Sequence, residues 1–126
     1  MDLKSGYPFW PVKNGLLHTY PALHKDLTCD VVVIGGGITG ALVAYHLAEA
    51  GMETVVLDKR HIAWGSTSAT TALLQYEIDT PLCDLIEMVG EDHAVRSYLA
   101  CADAIDKIAA LVKKIGNECG FVRKSS

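Results

Sequence analysis

Gly35, Gly37 and Gly40 stand at G-x-G-x-x-G spacing, and Asp58 follows Gly40 by eighteen positions. Each residue suits one part of a bound dinucleotide. A glycine at the first place permits a tight turn. At the second, the missing Cβ lets a pyrophosphate come close to the backbone. At the third, a helix can pack tightly against a sheet. A helix starting near Ile38 turns the N–H groups of its first turn, Ile38 and Thr39 among them, and its positive dipole end toward phosphate oxygens. An acid at the place of Asp58 can hydrogen-bond both ribose hydroxyls and disfavours a 2′-phosphate. Lys59 and Arg60 follow it directly and are the cations available to accommodate such a phosphate.

A glycine spacing alone is weak ground, because glycine turns are common and many bind nothing. Here the elements that must position it are all present and in order. Val31 to Ile34 form an apolar, β-branched run that fits a parallel strand buried on both faces. Ala41, Leu42, Ala44, Tyr45, Leu47 and Ala48 give the following helix an apolar side, and Gly51 is placed to end it. Thr54 to Leu57 read as the second strand, closed by Asp58.

A second segment follows the acid: Lys59-Arg60-His61-Ile62-Ala63-Trp64-Gly65-Ser66-Thr67-Ser68-Ala69-Thr70-Thr71-Ala72-Leu73-Leu74. Small hydroxyl residues and exposed backbone N–H groups can cradle phosphate oxygens. By itself such a cluster is equally a Ser/Thr-rich turn with a helix cap. Its place after Asp58 changes the reading. From Cys29 to about Leu74 the chain resembles the FAD-dependent oxidoreductases of the D-amino-acid oxidase superfamily, which includes glycine and sarcosine oxidases, D-amino-acid dehydrogenases and flavin-linked glycerol-3-phosphate dehydrogenases. The resemblance implies that Gly65, Ser66, Thr67 and Ser68 contact FAD. Many members have an arginine where this chain has Ala69 and a glycine near Ala72. Members that tether flavin through a histidine place it near Ala69, so alanine there implies non-covalent FAD, and His61 lies out of register. The glycerol-phosphate branch has further glycines and a histidine after the apolar run, where this chain reads Gln75-Tyr76-Glu77; that tilts the reading toward the amine-oxidising branch.

The remainder bounds the answer. At 126 residues, half of them hydrophobic, there is room for one domain with a core. A formal charge of −4 with no basic stripe gives no sign of a nucleic-acid partner. The apolar runs are too short for a transmembrane segment, and the N-terminus lacks the apolar core of a signal peptide. Cys29, Cys83, Cys101 and Cys119 show no metal spacing and read as buried thiols of a cytoplasmic protein, with no metal bound.

Residues 1–28, with three of the four prolines, read as an extended arm anchored by Tyr7, Phe9 and Trp10. After the second segment, Thr80 as N-cap and Pro81 at the first helical position begin a helix to about Val89, which Gly90 breaks. A second helix begins near Glu91 and Asp92, carries an inward stripe of Val95, Tyr98, Leu99, Ala102, Ile105, Ala109 and Val112, and ends at Lys113, Lys114 and Gly116. His93 and Arg96 fall on its solvent side. Cys119 to Val122 read as the start of a strand.

The expected fold class is α/β: a partial Rossmann-like FAD-binding domain, a βαβ unit plus following helices, over residues 29–126, cut where the family's substrate domain starts. The expected function is the FAD-binding portion of a flavin-dependent oxidoreductase that oxidises an amine or amino acid by hydride transfer to flavin N5. The substrate would be a small amine or amino acid met by the full-length protein, and the short chain alone is expected to be inactive. The family places its active-site arginine and tyrosines later, so no catalytic residue is assigned here. Two other readings stay open: a truncated, non-catalytic nucleotide-binding fragment or subunit needing a partner, and an NAD-binding dehydrogenase domain or a glycerol-3-phosphate dehydrogenase relative. Open strand edges in so short a sheet predict self-association.

Overall fold

The computed structural model describes residues 6–16, 18–116 and 119–124. The chain divides into two units, Met1–Thr71 and Ala72–Ser126.

The first unit is built on two parallel strands, β1 (Val31–Ile34) and β2 (Thr54–Leu57), joined through helix α2 (Ile38–Glu49). Their register runs from Val31 opposite Thr54 to Ile34 opposite Leu57. The ladder is fixed at both ends. The Glu53 N–H donates to the Asp30 carboxylate at 2.8 Å, and the Gly35 N–H donates to the Leu57 carbonyl at 2.7 Å.

Helix α2 covers one face of this pair. Val33 is buried, and a Cβ on Gly40 would lie 3.4 Å from Val33 Cγ1. Successive strand side chains point to opposite faces, so Val32 and Ile34 face the other way, and they are 50% and 88% exposed. The expectation that β1 is buried on both faces is therefore corrected: its α2 side is covered and its other side is exposed, while all four residues of β2 are part-buried. On α2 itself Leu42, Ala44, Tyr45 and Leu47 are half-buried, while Ala41 and Ala48, expected on the same side, are exposed. The helix ends as the sequence requires. Gly51 takes a φ of 79°, its N–H donates to Ala48, and the Met52 N–H donates to Leu47. That pair of bonds satisfies two carbonyls of the last turn.

The arm is not extended throughout. Helix α1 (Phe9–Asn14) lies within it. Its prolines permit this because the first turn of a helix has no intrahelical partner for its N–H groups, so Pro8 at the cap and Pro11 in the first turn cost no bond. Trp10 anchors the arm: it is half-buried, and its indole N–H donates to the Thr70 carbonyl at 2.8 Å. Tyr7 and Phe9, expected to share that task, are 89% and 63% exposed.

The second unit is a helical hairpin, α3 (Leu82–Val89) and α4 (Glu91–Lys114), turned at Gly90 with a φ of 85°. Pro81, not Thr80, is the N-cap of α3, and no side chain caps it. The Thr80 carbonyl instead accepts the Tyr98 hydroxyl at 2.8 Å. Along α4 the inward residues are Ala94, fully buried, with Val95, Tyr98, Cys101, Ile105, Ile108 and Val112 partly buried. Leu99, 64% exposed, and Ala102 drop out of the expected stripe. The row 94, 98, 101, 105, 108, 112 follows the helical period more evenly. His93 and Arg96 are exposed, with Arg96 paired to Asp92 one turn back. Residues 119–122 form no strand, having no neighbouring strand to pair with among the described residues. All four cysteines are free; Cys29 and Cys101 are half-buried, while Cys83 and Cys119 are exposed, so the expectation of buried thiols does not hold.

Candidate nucleotide-binding site

The turn between β1 and α2 is shaped by contacts that leave no room for side chains. Gly35 has a φ of 104°, a region closed to most residues. A Cβ on Gly40 would overlap the Gly35 carbonyl oxygen, so the first turn of α2 rests directly on the loop backbone. Gly36, the middle glycine of the run, is buried; a Cβ there would overlap Ile62 of the second segment. A Cβ on Gly37 would sit 3.1 Å from the Thr67 hydroxyl oxygen.

Asp58 stands at the end of β2 with both carboxylate oxygens engaged. One accepts the Gly36 N–H at 2.7 Å and the other the Arg60 N–H at 2.8 Å. These two bonds, that from Gly36 first, hold its carboxyl below the usual carboxylate range; the charges of Arg60 and Lys59 act in the same direction, and partial burial opposes them. A carboxylate has about four lone-pair sites, so two remain for hydroxyl donors. The acid is thus a clamp on the glycine turn with acceptor capacity left for a further donor.

The second segment folds onto the same turn. The Ala63 N–H donates to the Gly36 carbonyl at 2.8 Å. Ser66–Ala69 form a 3-10 turn, and inside it the Ser68 hydroxyl, almost wholly buried, donates to the Gly65 carbonyl at 2.7 Å. The Thr67 hydroxyl oxygen accepts the Ile38 N–H at 3.0 Å. This differs from an expectation: the first N–H of α2 is capped by Thr67 rather than left open, so a phosphate oxygen at Ile38 would have to share or displace that hydroxyl.

Among the residues singled out from sequence, the structure brings Gly35, Gly37, Ile38, Gly40, Asp58, Gly65, Thr67 and Ser68 together around one turn. Arg60 reaches it through its backbone, and its guanidinium lies 3.6 Å from where a Cβ of Gly65 would be. Thr39, Lys59 and Ser66 are exposed. Sequence reasoning passed over Gly36, Ile62, Ala63 and the Trp10–Thr70 bond. The run of three glycines was a signal for the first; nothing in residue type marked Ile62 or Ala63 as partners of Gly36. Among the described residues no group of three His, Cys, Asp or Glu could hold a metal, and no helix is long and apolar enough to cross a membrane. Chemically, the arrangement offers backbone and hydroxyl groups to an anionic diphosphate and a carboxylate to an adjoining ribose.

A family model described as FAD dependent oxidoreductase matches residues 30–126. Over 118 residues, 94% of its length, the chain is 33% identical to a Bacillus subtilis (strain 168) protein named as a Rieske 2Fe-2S iron–sulfur protein, of which it covers 23%. It is 48% identical over 48 residues to γ-glutamylputrescine oxidoreductase of Escherichia coli (strain K12), covering 38% of this chain and 11% of that one. It is 53% identical over 47 residues to α-glycerophosphate oxidase of Enterococcus casseliflavus, covering 37% and 8%. The chain thus spans less than a quarter of the length of each of these relatives. No solved structure matches it.

Proposed function

The chain belongs to the FAD-dependent oxidoreductase family, and from that membership we propose that it holds FAD, non-covalently, as the Rossmann-like nucleotide-binding part of an enzyme that oxidises an amine or amino acid. The observation that carries the reading is the 3.0 Å hydrogen bond between the Thr67 hydroxyl and the Ile38 N–H. It seats the Ser/Thr segment on the helix end that faces phosphates. A nicotinamide-binding unit needs the glycine turn and the acid but has no use for that segment there.

The residues fit the cofactor. The turn has no Cβ at Gly36 or Gly37, and a side chain at either would meet Ile62 or Thr67. In the proposal, the amides of the Gly37–Gly40 turn and the Thr67 hydroxyl bind the pyrophosphate, and the spare lone pairs of Asp58 accept the ribose hydroxyls. Lys59 and Arg60 offset the diphosphate charge. Bound flavin supplies a hydride acceptor for a C–H bond beside an amine nitrogen; this chain binds and orients. Ala69, standing where tethering relatives carry histidine, supports non-covalent binding.

The choice of an amine over a glycerol phosphate rests on Gln75-Tyr76-Glu77, which lacks the glycines and histidine of the glycerol-phosphate branch. The γ-glutamylputrescine relative supports an amine, whereas the α-glycerophosphate relative keeps the other branch in view.

A thermal-shift titration with FAD and with NAD tests the cofactor. Saturating FAD, at about a hundred times its dissociation constant, stabilises by about 2.7 kcal/mol and raises the melting midpoint by several degrees, while NAD leaves it unmoved. Stabilisation by NAD alone overturns the reading.

A further inference from the structure

A cleft of about 320 Å3 opens between the N-terminal arm and the second segment, lined among others by Trp10, Ile62, Trp64, Thr67 and Thr70. Its size falls within the range of small-molecule sites. Its composition is unusual for this chain: there are two tryptophans in the whole sequence, and both line it. Trp10 is fixed there by the bond from its indole N–H to the Thr70 carbonyl. That bond satisfies the indole's one polar atom, so what Trp10 offers a ligand is its ring.

The cleft has a defined position relative to the nucleotide site. Thr67 belongs to both: it lines the cleft, and its hydroxyl oxygen accepts the Ile38 N–H. Asp58 does not line it and is instead held to Gly36 and Arg60. A dinucleotide with its pyrophosphate at Gly37 and Ile38 would therefore have the cleft directly beside that pyrophosphate, across Thr67.

We propose that this cleft receives the isoalloxazine ring of FAD and that Trp10, from the N-terminal arm, contacts it as an aromatic wall. The inference rests on the FAD reading above and extends it. The arm becomes part of the cofactor site, not only a strap across the domain. A planar ring between aromatic and aliphatic side chains gains stacking and burial.

The test uses the full chain, with FAD and ADP as paired probes in a calorimetric titration. ADP carries the adenosine ribose and diphosphate but no flavin ring. Trp10→Ala is expected to weaken FAD binding about tenfold, the scale of losing one aromatic stacking partner, while ADP affinity stays unchanged. Trp10→Phe keeps a ring and is expected to keep FAD affinity. A second measurement keeps an aromatic ring at position 10 and gives up only the indole bond to the Thr70 carbonyl. An indole touching flavin quenches its fluorescence by donating an electron, so bound flavin is expected to be dim in Trp64→Phe and brighter in the Trp10→Phe/Trp64→Phe double variant. Equal loss of ADP and FAD in Trp10→Ala overturns the proposal, because the arm then acts through the fold alone. Unchanged FAD affinity in Trp10→Ala, or unchanged flavin emission in the double variant, also overturns it, and leaves the FAD reading intact. A wild-type chain that binds ADP but not FAD overturns both.

Discussion

At the residue scale, Asp58 decides most. Two backbone donors face its two oxygens. Replacing it with asparagine would leave one of those donors against an NH2 group, so Asp58→Asn is expected to lower the melting midpoint despite its similar shape. The folded carboxyl titrates below its ordinary value, so its hold on the turn is complete above about pH 5 and is lost as pH falls below about 4, through the folded value. Melting curves should therefore show Asp58→Asn below wild type at neutral pH and the two converging in acid; a gap that persists unchanged in acid contradicts this. Asp58→Ala is expected to cost about 1.5–3 kcal/mol of FAD affinity through lost bonds to a charged acceptor, measured by titration. The place of the acid at the end of β2, beside the glycine turn, was legible from its distance beyond Gly40. Its role as a clamp was not, because it depends on Gly36 and Arg60 presenting N–H groups to it in space.

At the element scale, the glycine turn and the helix after it make a sharp comparison. A Cβ at position 40 would overlap a backbone carbonyl that cannot move without dismantling the turn. Gly40→Ala is thus expected to destabilise by about 3 kcal/mol or more. At position 37 the obstacle is the Thr67 hydroxyl at 3.1 Å, the end of a rotatable side chain. Gly37→Ala is expected to fold with a smaller loss while displacing Thr67 from Ile38 and weakening FAD. Chemical denaturation separates the two, and equal losses would contradict the account. β1, α2 and β2 were readable to within a residue because local signals agree there: β-branched runs, a helical pattern and a glycine stop. Helix α1 was missed because Pro8 and Pro11 look like extension until their places in a first turn are known. The inward stripe of α4 was misread at Leu99 because an alternating helix pattern gives the period but not which residues meet a neighbour. The Cys119–Val122 strand was a propensity without a pairing partner.

At the scale of the molecule, one strand face carries Val32 and Ile34, 50% and 88% exposed, on a sheet of two strands. Apolar surface beside unpaired strand edges favours association between chains. Size-exclusion chromatography with light scattering is expected to find dimers or larger species, and a clean monomer would contradict that. The βαβ unit and its family were legible in sequence because a β-branched run, a glycine turn, a helical stretch, a second strand and an acid follow one another at the required spacing. The sparse burial was not, because composition states how much apolar surface a chain has and not what covers it.

The central claim is that this chain is a competent FAD-holding unit. The most direct test is the visible absorption spectrum of the purified chain after incubation with FAD and passage through gel filtration. The account predicts a flavin spectrum that travels with the protein. A colourless protein that FAD never stains would contradict it.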